Sequence, residues 1–320
     1  MSPTLSALGR IEQTFYYSGM RVEYREEPCR AAISHVEGMP FRWSLNPYTG
    51  CVHQCTFCYV RAFEQRAGRP SDGRYGASIR VKTNLLEVLQ RQLRRRSWGR
   101  EQVAIGTATD PYQPAEGRYR LTRDSIHLLA HYQTPFSIIT RGPLIVRDVD
   151  VLTAAAERVE VNVTFSVPTL DERIWRTTEP HTAPPRQRLE ALRRLAEAGI
   201  QCGVGMAPIL PGLSDDPVKL REVVLAARQA GAAHLWWNVV NLRPGTREHF
   251  LESLARDWPE QLERYERLYA RSPYLRGDQT KDLNATMNEL RSAWVWAPRS
   301  EGRRPQRVEP PRQLDLKLAS

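Results

Sequence analysis

The stretch NPYTGCVHQCTFCYVR, Asn46 to Arg61, places Cys51, Cys55 and Cys58 within eight residues of a 320-residue chain that contains five cysteines in all. Clustered thiols suit a soft metal. At the spacing CxxxCxxC, three thiolates can each bind one iron of a [4Fe-4S] cluster, with the short loop wrapped around one corner of the cube. The fourth iron is then open to a ligand, the mark of a reactive centre rather than a closed electron-transfer site. The alternative is a zinc site completed by His53 or Cys29. Zinc sites built on CxxC draw a second ligand pair from farther along the chain, and no such pair follows here. Gly50 lets the backbone approach the metal just before Cys51, and Pro47 stiffens the turn.

The rest of the composition agrees with thiols kept reduced. The cysteine count is odd, Cys29 and Cys202 lie far from the cluster, and the N-terminus has no apolar core of a signal peptide, so a cytoplasmic protein without disulfides is expected. No window approaches the ~18 uninterrupted apolar residues of a membrane span. With 46 basic against 36 acidic residues the chain carries +10, much of it as arginine in RQLRRRSWGR (Arg91 to Arg100) and in the C-terminal tail. This excess suits an anionic partner such as nucleic acid, the plainer alternative being a solvated basic face.

A repeating grammar positions the cysteines. After an irregular opening (residues 1–38), β-rich runs at Phe41 to Asn46, Gln102 to Thr109, Pro135 to Arg141, Val159 to Val167, Gln201 to Leu210 and His234 to Leu242 alternate with helical patterns. The helical patterns cover Thr83 to Arg96, Thr122 to Tyr132, Arg147 to Arg158, Pro184 to Gly199 and Asp216 to Gly231. Strand followed by helix, repeated, predicts a parallel sheet of right-handed crossovers. The fold class is α/β, a partial (β/α)6 TIM-like barrel at residues 39–248, open at one side and carrying its chemistry at the C-terminal strand ends. Helices over Phe250 to Ser272 and Asp282 to Trp296 form a C-terminal extension (249–298), and residues 299–320, rich in Arg and Pro, read as a disordered basic tail.

With Phe57 just before the last cysteine, the loop resembles the radical S-adenosylmethionine (SAM) signature, in the branch that includes spore photoproduct lyase. The likeness continues in GTATDPYQPAE (Gly106 to Glu116), IITRGPLIVRDVDVL (Ile138 to Leu152), Val163 to Ile200, APILPGLSDD (Ala207 to Asp216) and NLRPGTREHF (Asn241 to Phe250). It spans roughly Arg21 to Tyr274 and is strongest to a poorly characterised actinobacterial-type subgroup that also carries MPFRW before the loop.

The resemblance implies a [4Fe-4S] cluster on Cys51, Cys55 and Cys58, SAM chelated to the open iron, and a reductant such as flavodoxin or ferredoxin. It places Phe57 and Tyr59 against the adenine, and Thr109, Asp110, Arg141 and Ser166 against the methionyl and ribose groups. Each polar residue has a plainer reading: Asp110 starts a turn at Pro111, Arg141 pairs with a surface carboxylate, Ser166 caps a strand end. Two departures stand out. Thr140-Arg141 replaces the usual Thr-Lys, keeping the charge but not the flexible ammonium. Thr107 stands where spore photoproduct lyases carry the cysteine that returns a hydrogen atom to the product radical, and an O–H bond is too strong for that task. Cys202 is either a substitute donor or a buried core cysteine.

The tail between Arg299 and Lys317 holds six basic residues against three acids. If Arg303, Arg304 and Arg307 each contact a phosphate, deleting residues 299 to 320 lowers the slope of log affinity for DNA or RNA against log salt by about 2 to 3. A salt titration giving identical slopes would mean a solvated tail that touches nothing.

Overall fold

Apolar residues alternate along short segments separated by helices, and the chain accordingly folds as a parallel sheet with helices on one face. The computed structural model describes residues 12–17, 19–293 and 296, so the basic tail lies outside the described residues. The strands are β1 (Glu12–Tyr17), β2 (Met20–Glu27), β3 (Ile33–His35), β4 (Trp43–Leu45), β5 (Tyr48–Thr49), β6 (Ser78–Lys82), β7 (Val103–Ile105), β8 (Phe136–Thr140), β9 (Val161–Ser166), β10 (Gln201–Ile209) and β11 (His234–Val239). The helices are α1 (Arg61–Arg66), α2 (Leu85–Leu93), α3 (Ala115–Tyr119), α4 (Leu121–His131), α5 (Val149–Ala156), α6 (Glu172–Thr178), α7 (Pro185–Glu197), α8 (Pro217–Gln229), α9 (Thr246–Asp257), α10 (Leu262–Leu268) and α11 (Lys281–Ser292).

The main sheet runs β11-β10-β9-β8-β7-β4-β3. Its six strands from β4 to β11 are parallel and neighbour one another in chain order, while β3 lies antiparallel at the edge. Each expected barrel strand is present, and the first and last do not pair, so the barrel is open. Successive side chains face opposite sides of the sheet. Val103, Ile105, Phe136, Ile138, Val163, Phe165, Val204 and Leu235 fill the continuous core shared with the helices. Cys202 pairs in register with Val163 and belongs to that core at 1% exposure, so the core reading of this cysteine holds and the substitute-donor reading falls.

Two parts differ from expectation. The opening read as irregular contains β1, β2 and β3, and β1 and β2 join β6 and β5 in a second sheet ordered β1-β2-β6-β5. β2 is parallel to β6, and β5 antiparallel to it. Since β5 leads directly into the cysteine loop, this sheet is what the loop rests on. The helix expected over Phe250 to Ser272 is interrupted: α9 ends before Trp258, a short 3-10 turn spans Pro259–Gln261, and α10 follows. Pro259 has no N–H to continue the ladder and restarts the chain in a new direction.

The C-terminal extension closes over the loop. Phe250, Leu254, Trp258, Tyr265 and Tyr269 pack with Cys55, Phe57, Val240 and Leu242 in a separate apolar cluster. No helix among the described residues is long and apolar enough to cross a membrane.

Candidate active site

The cysteine loop is pressed against the second sheet so closely that side chains are excluded at its contacts. Gly50 has φ +88° and Gly76 φ +84°, and a Cβ on Gly76 would stand 2.3 Å from the Cys51 carbonyl oxygen. Only glycine fits both the conformation and the space. On its other side the loop is tied to the end of β7. The Thr109 hydroxyl donates to the Gly50 carbonyl (2.6 Å), as does the Gln113 amide (3.2 Å), which also donates to Thr109 Oγ1 (2.8 Å). The Gln113 carbonyl accepts from Val52 N (3.2 Å).

Asp110 links three elements. Its Oδ1 accepts from Tyr112 N (2.9 Å) and the Thr140 hydroxyl (2.6 Å), and its Oδ2 accepts from Arg141 N (2.7 Å) and lies 3.4 Å from His53 Nδ1. Burial drives the His53 imidazole down to about 4, so it is neutral near pH 7. Farther back, Glu116 is fully buried and accepts from Tyr48 Oη (2.5 Å), Thr122 N (2.9 Å) and Arg123 N (3.1 Å), joining β5 to the start of α4.

Arg141, just beyond β8, turns inward. Its Nε donates to Glu179 (2.5 Å), its Nη2 to the Ala207 carbonyl (3.1 Å), and its guanidinium lies 5.7 Å from the centre of the Phe57 ring. Glu179 also pairs with Arg188 at 2.9 Å, and Arg188 donates to the carbonyls of Ser166 (2.8 Å) and Ala183 (2.8 Å). Glu179 and Arg188 are 1% and 0% exposed. Burial alone would raise the Glu179 carboxyl, but Arg188 and Arg141 outweigh it and hold it below the usual range.

All the residues expected at the site therefore gather on one rim. Cys51, Cys55 and Phe57 are buried, Cys58 and Tyr59 half-buried, and Thr109, Asp110 and Ser166 are less than a tenth exposed. Tyr59 donates to the Thr107 carbonyl, and Thr107 Oγ1 accepts from Asn46 Nδ2 at 3.3 Å. Thr109 and Asp110 spend their polar atoms on the chain itself. Arg141 keeps Nη1 without a hydrogen bond to any described residue. Sequence reasoning missed Gln113, Glu179 and Arg188. The only sign of them was polar residues placed four after Thr109 and beside the prolines of TEPHTAPPRQR.

The donor set fits an iron–sulfur cube. Burial pushes the Cys55 thiol up to about 12 and raises Cys51 as well, where Asp110 and the neighbouring thiols add to the effect. Thiols in such a place deprotonate on taking up a polycationic centre. Among the described residues no three His, Cys, Asp or Glu side chains converge on the position of a single ion, whereas a cube takes each thiolate on a separate iron.

The model of the radical SAM superfamily matches residues 45–224. The chain belongs to the radical SAM superfamily. An uncharacterised protein of Mycobacterium tuberculosis is 37% identical over 276 residues, covering 85% of this chain and 81% of the relative. One from Methanocaldococcus jannaschii is 24% identical over 223 residues, 69% of this chain and 78% of its own. Spore photoproduct lyase complexed with dinucleoside spore photoproduct superposes with a TM-score of 0.65 at 17% identity, over 83% of this chain and 78% of that one, a likeness of fold. The radical SAM chain thus has the partial barrel expected of it, and the mycobacterial relative agrees with the expected subgroup.

The buried Glu179 pair yields a prediction for this radical SAM protein. Glu179→Gln leaves two guanidinium groups without their counter-charge and should cost about 3 to 5 kcal/mol in denaturant unfolding. Because the folded carboxyl is held low, its contribution is present above the ordinary glutamate pKa and is lost as pH falls through the lower, folded value. Wild type and variant should therefore converge in stability in acid. A constant difference down to acid pH would contradict an ionised Glu179.

Proposed function

We propose that this chain holds a [4Fe-4S] cluster on Cys51, Cys55 and Cys58, and that it is an enzyme abstracting hydrogen from a substrate admitted through the open side of the barrel. Membership of the superfamily implies SAM cleavage. The observation that carries the reading is the loop itself: three clustered thiols just beyond β4 and β5, beside an arginine whose Nη1 makes no hydrogen bond to a described residue. When bound, the cluster supplies the electron that cleaves SAM to methionine and a 5′-deoxyadenosyl radical.

The chain's own residues bind, orient and exclude water. Arg141 Nη1 is the donor available to the methionyl carboxylate, and Glu179 fixes the plane of that guanidinium. Phe57 and Tyr59 offer aromatic surface to the adenine, with Ser166 beside the ribose. Thr109 and Asp110 act one step back, by fastening the cysteine loop to the strand ends. The apolar cluster of α9 and α10 over Cys55 and Phe57 keeps water from the reacting atoms. Thr107 offers a hydroxyl that cannot replace a thiol as hydrogen donor, so the reaction proposed is not spore photoproduct repair.

Two partners belong to the same reading: a one-electron donor such as flavodoxin or ferredoxin, and a nucleic acid attracted by exposed arginines. Arg91, Arg94, Arg95 and Arg96 are exposed at the C-terminal end of α2, which leads into the start of β7. They lie at the end of the barrel opposite the cysteine loop, so they would anchor a polyanion rather than present it to the radical. The salt titration of the tail deletion tests them when repeated with all four replaced by alanine.

Protein reconstituted with iron and sulfide without air, then reduced with dithionite, should form 5′-deoxyadenosine from SAM. Arg141→Ala should weaken SAM binding by about 1.5 to 3 kcal/mol while the cluster's visible absorbance persists. Cys55→Ala should lose both absorbance and product, whereas Cys29→Ala and Cys202→Ala should keep them. Cluster-loaded protein that forms no 5′-deoxyadenosine would sink the enzymatic reading and leave an iron–sulfur nucleic-acid-binding module.

A further inference from the structure

Two arginines in the described chain are buried outright, and they are held in different ways. Arg188 has Glu179 as its counter-ion. Arg61, 1% exposed, has no carboxylate within ion-pair distance among the described residues. Its guanidinium donates only to backbone carbonyls: Nε to Cys55 (3.3 Å), Nη2 to Gln54 (3.2 Å), and Nη1 to Ser71 (2.7 Å) and Asp72 (2.6 Å). One face lies 4.6 Å from the centre of the Tyr75 ring, and the Tyr75 hydroxyl stands 3.7 Å from Cys58 Sγ. A buried cation with no counter-charge is costly, and carbonyl dipoles and a ring face repay only part of that cost. The groups on the loop that it holds are the cysteine thiols, which become thiolates on taking up a polycationic centre.

We propose that Arg61 is the built-in counter-charge of the metal centre, a positioning residue that stabilises the reduced cluster through its buried positive charge. The inference rests on the cluster assignment to Cys51, Cys55 and Cys58. Three thiolates outweigh the positive charge of an oxidised cube, and reduction adds a further negative charge. Net charge, hydrogen bonding and solvent exposure around a cluster set its potential. A cation sealed from water acts through a low dielectric and is little screened by salt, so it favours the more negative, reduced state. The guanidinium reaches the loop through the Gln54 and Cys55 carbonyls, so its charge is held beside the cysteines by the backbone and not by bonding a sulfur.

The test separates charge from scaffolding with Arg61→Lys, which keeps the cation and loses the fork, and Arg61→Gln, which loses the cation and keeps a donor. Reconstituted wild type and both variants are assayed for iron and titrated for the midpoint potential of the cluster without SAM. Arg61→Gln should be at least tenfold harder to reduce, a midpoint lower by about 59 mV for one electron, with Arg61→Lys closer to wild type. If Arg61→Gln assembles no cluster while Arg61→Lys does, the cation is required even for assembly, and the proposal stands. Equal potentials in all three proteins overturn it, as does equal loss of iron from both variants, since either outcome leaves Arg61 a scaffold. A wild-type chain that takes up no iron removes the cluster assignment, and the proposal with it. That result is distinct from failure of the charge effect alone.

Discussion

Three thiols crowded into eight residues, which must ionise to bind a metal centre, lose hydration when buried and sit on a loop too short to form a helix or a strand ladder of its own. Every nearby element of this chain answers that constraint. The second sheet supports the loop from one side, where Gly50 and Gly76 permit a contact that any side chain would block. Thr109 and Gln113 hold the same backbone from the end of β7. Arg61 ties the Gln54 and Cys55 carbonyls to the turn at Ser71 and Asp72. Thr246, at the start of α9, donates to the Cys58 carbonyl at 3.0 Å, so even the C-terminal extension takes hold of the loop.

Charge is arranged around the loop in the same spirit. Asp110 joins the ends of β7 and β8 to His53, and the Glu179 ion pairs join the Arg141 segment to α7. Breaking such a network by removing one member is more damaging than its net contribution suggests, because the remaining partners stay buried and unpaired. The consequence for chemistry is preorganisation: Arg141 already has its plane fixed by Glu179 and Ala207 before a ligand arrives, and little reorganisation is left for binding.

Much of this was legible in the sequence. The six barrel strands announced themselves through apolar and β-branched runs recurring between helical patterns, and the cysteine spacing named its own chemistry. The second sheet did not, because MRVEYREE in β2 and SIRVK in β6 place charged residues at every other position and read as surface loop until paired. Asp110 was expected at the end of a strand reaching Thr109, but β7 ends at Ile105 and Asp110 lies in the loop beyond it. Its partners could not be read, since the Thr140–Arg141 segment and His53 belong to other units that meet it only in the folded chain. Glu179, Arg188 and Arg61 escaped for a related reason: charged residues are ordinarily exposed, and burial by tertiary contacts leaves no periodic trace. Cys202 was open between core and lumen, and strand register decided it.

The central claim is that Cys51, Cys55 and Cys58 leave one iron of a cube open and that SAM occupies it. Electron paramagnetic resonance of the dithionite-reduced, reconstituted chain, recorded with and without SAM, tests this most directly. The account predicts a reduced-cluster signal whose g-values shift on adding SAM, and a similar signal with a weaker response in Arg141→Ala. A reduced-cluster signal that is identical with and without saturating SAM would contradict it.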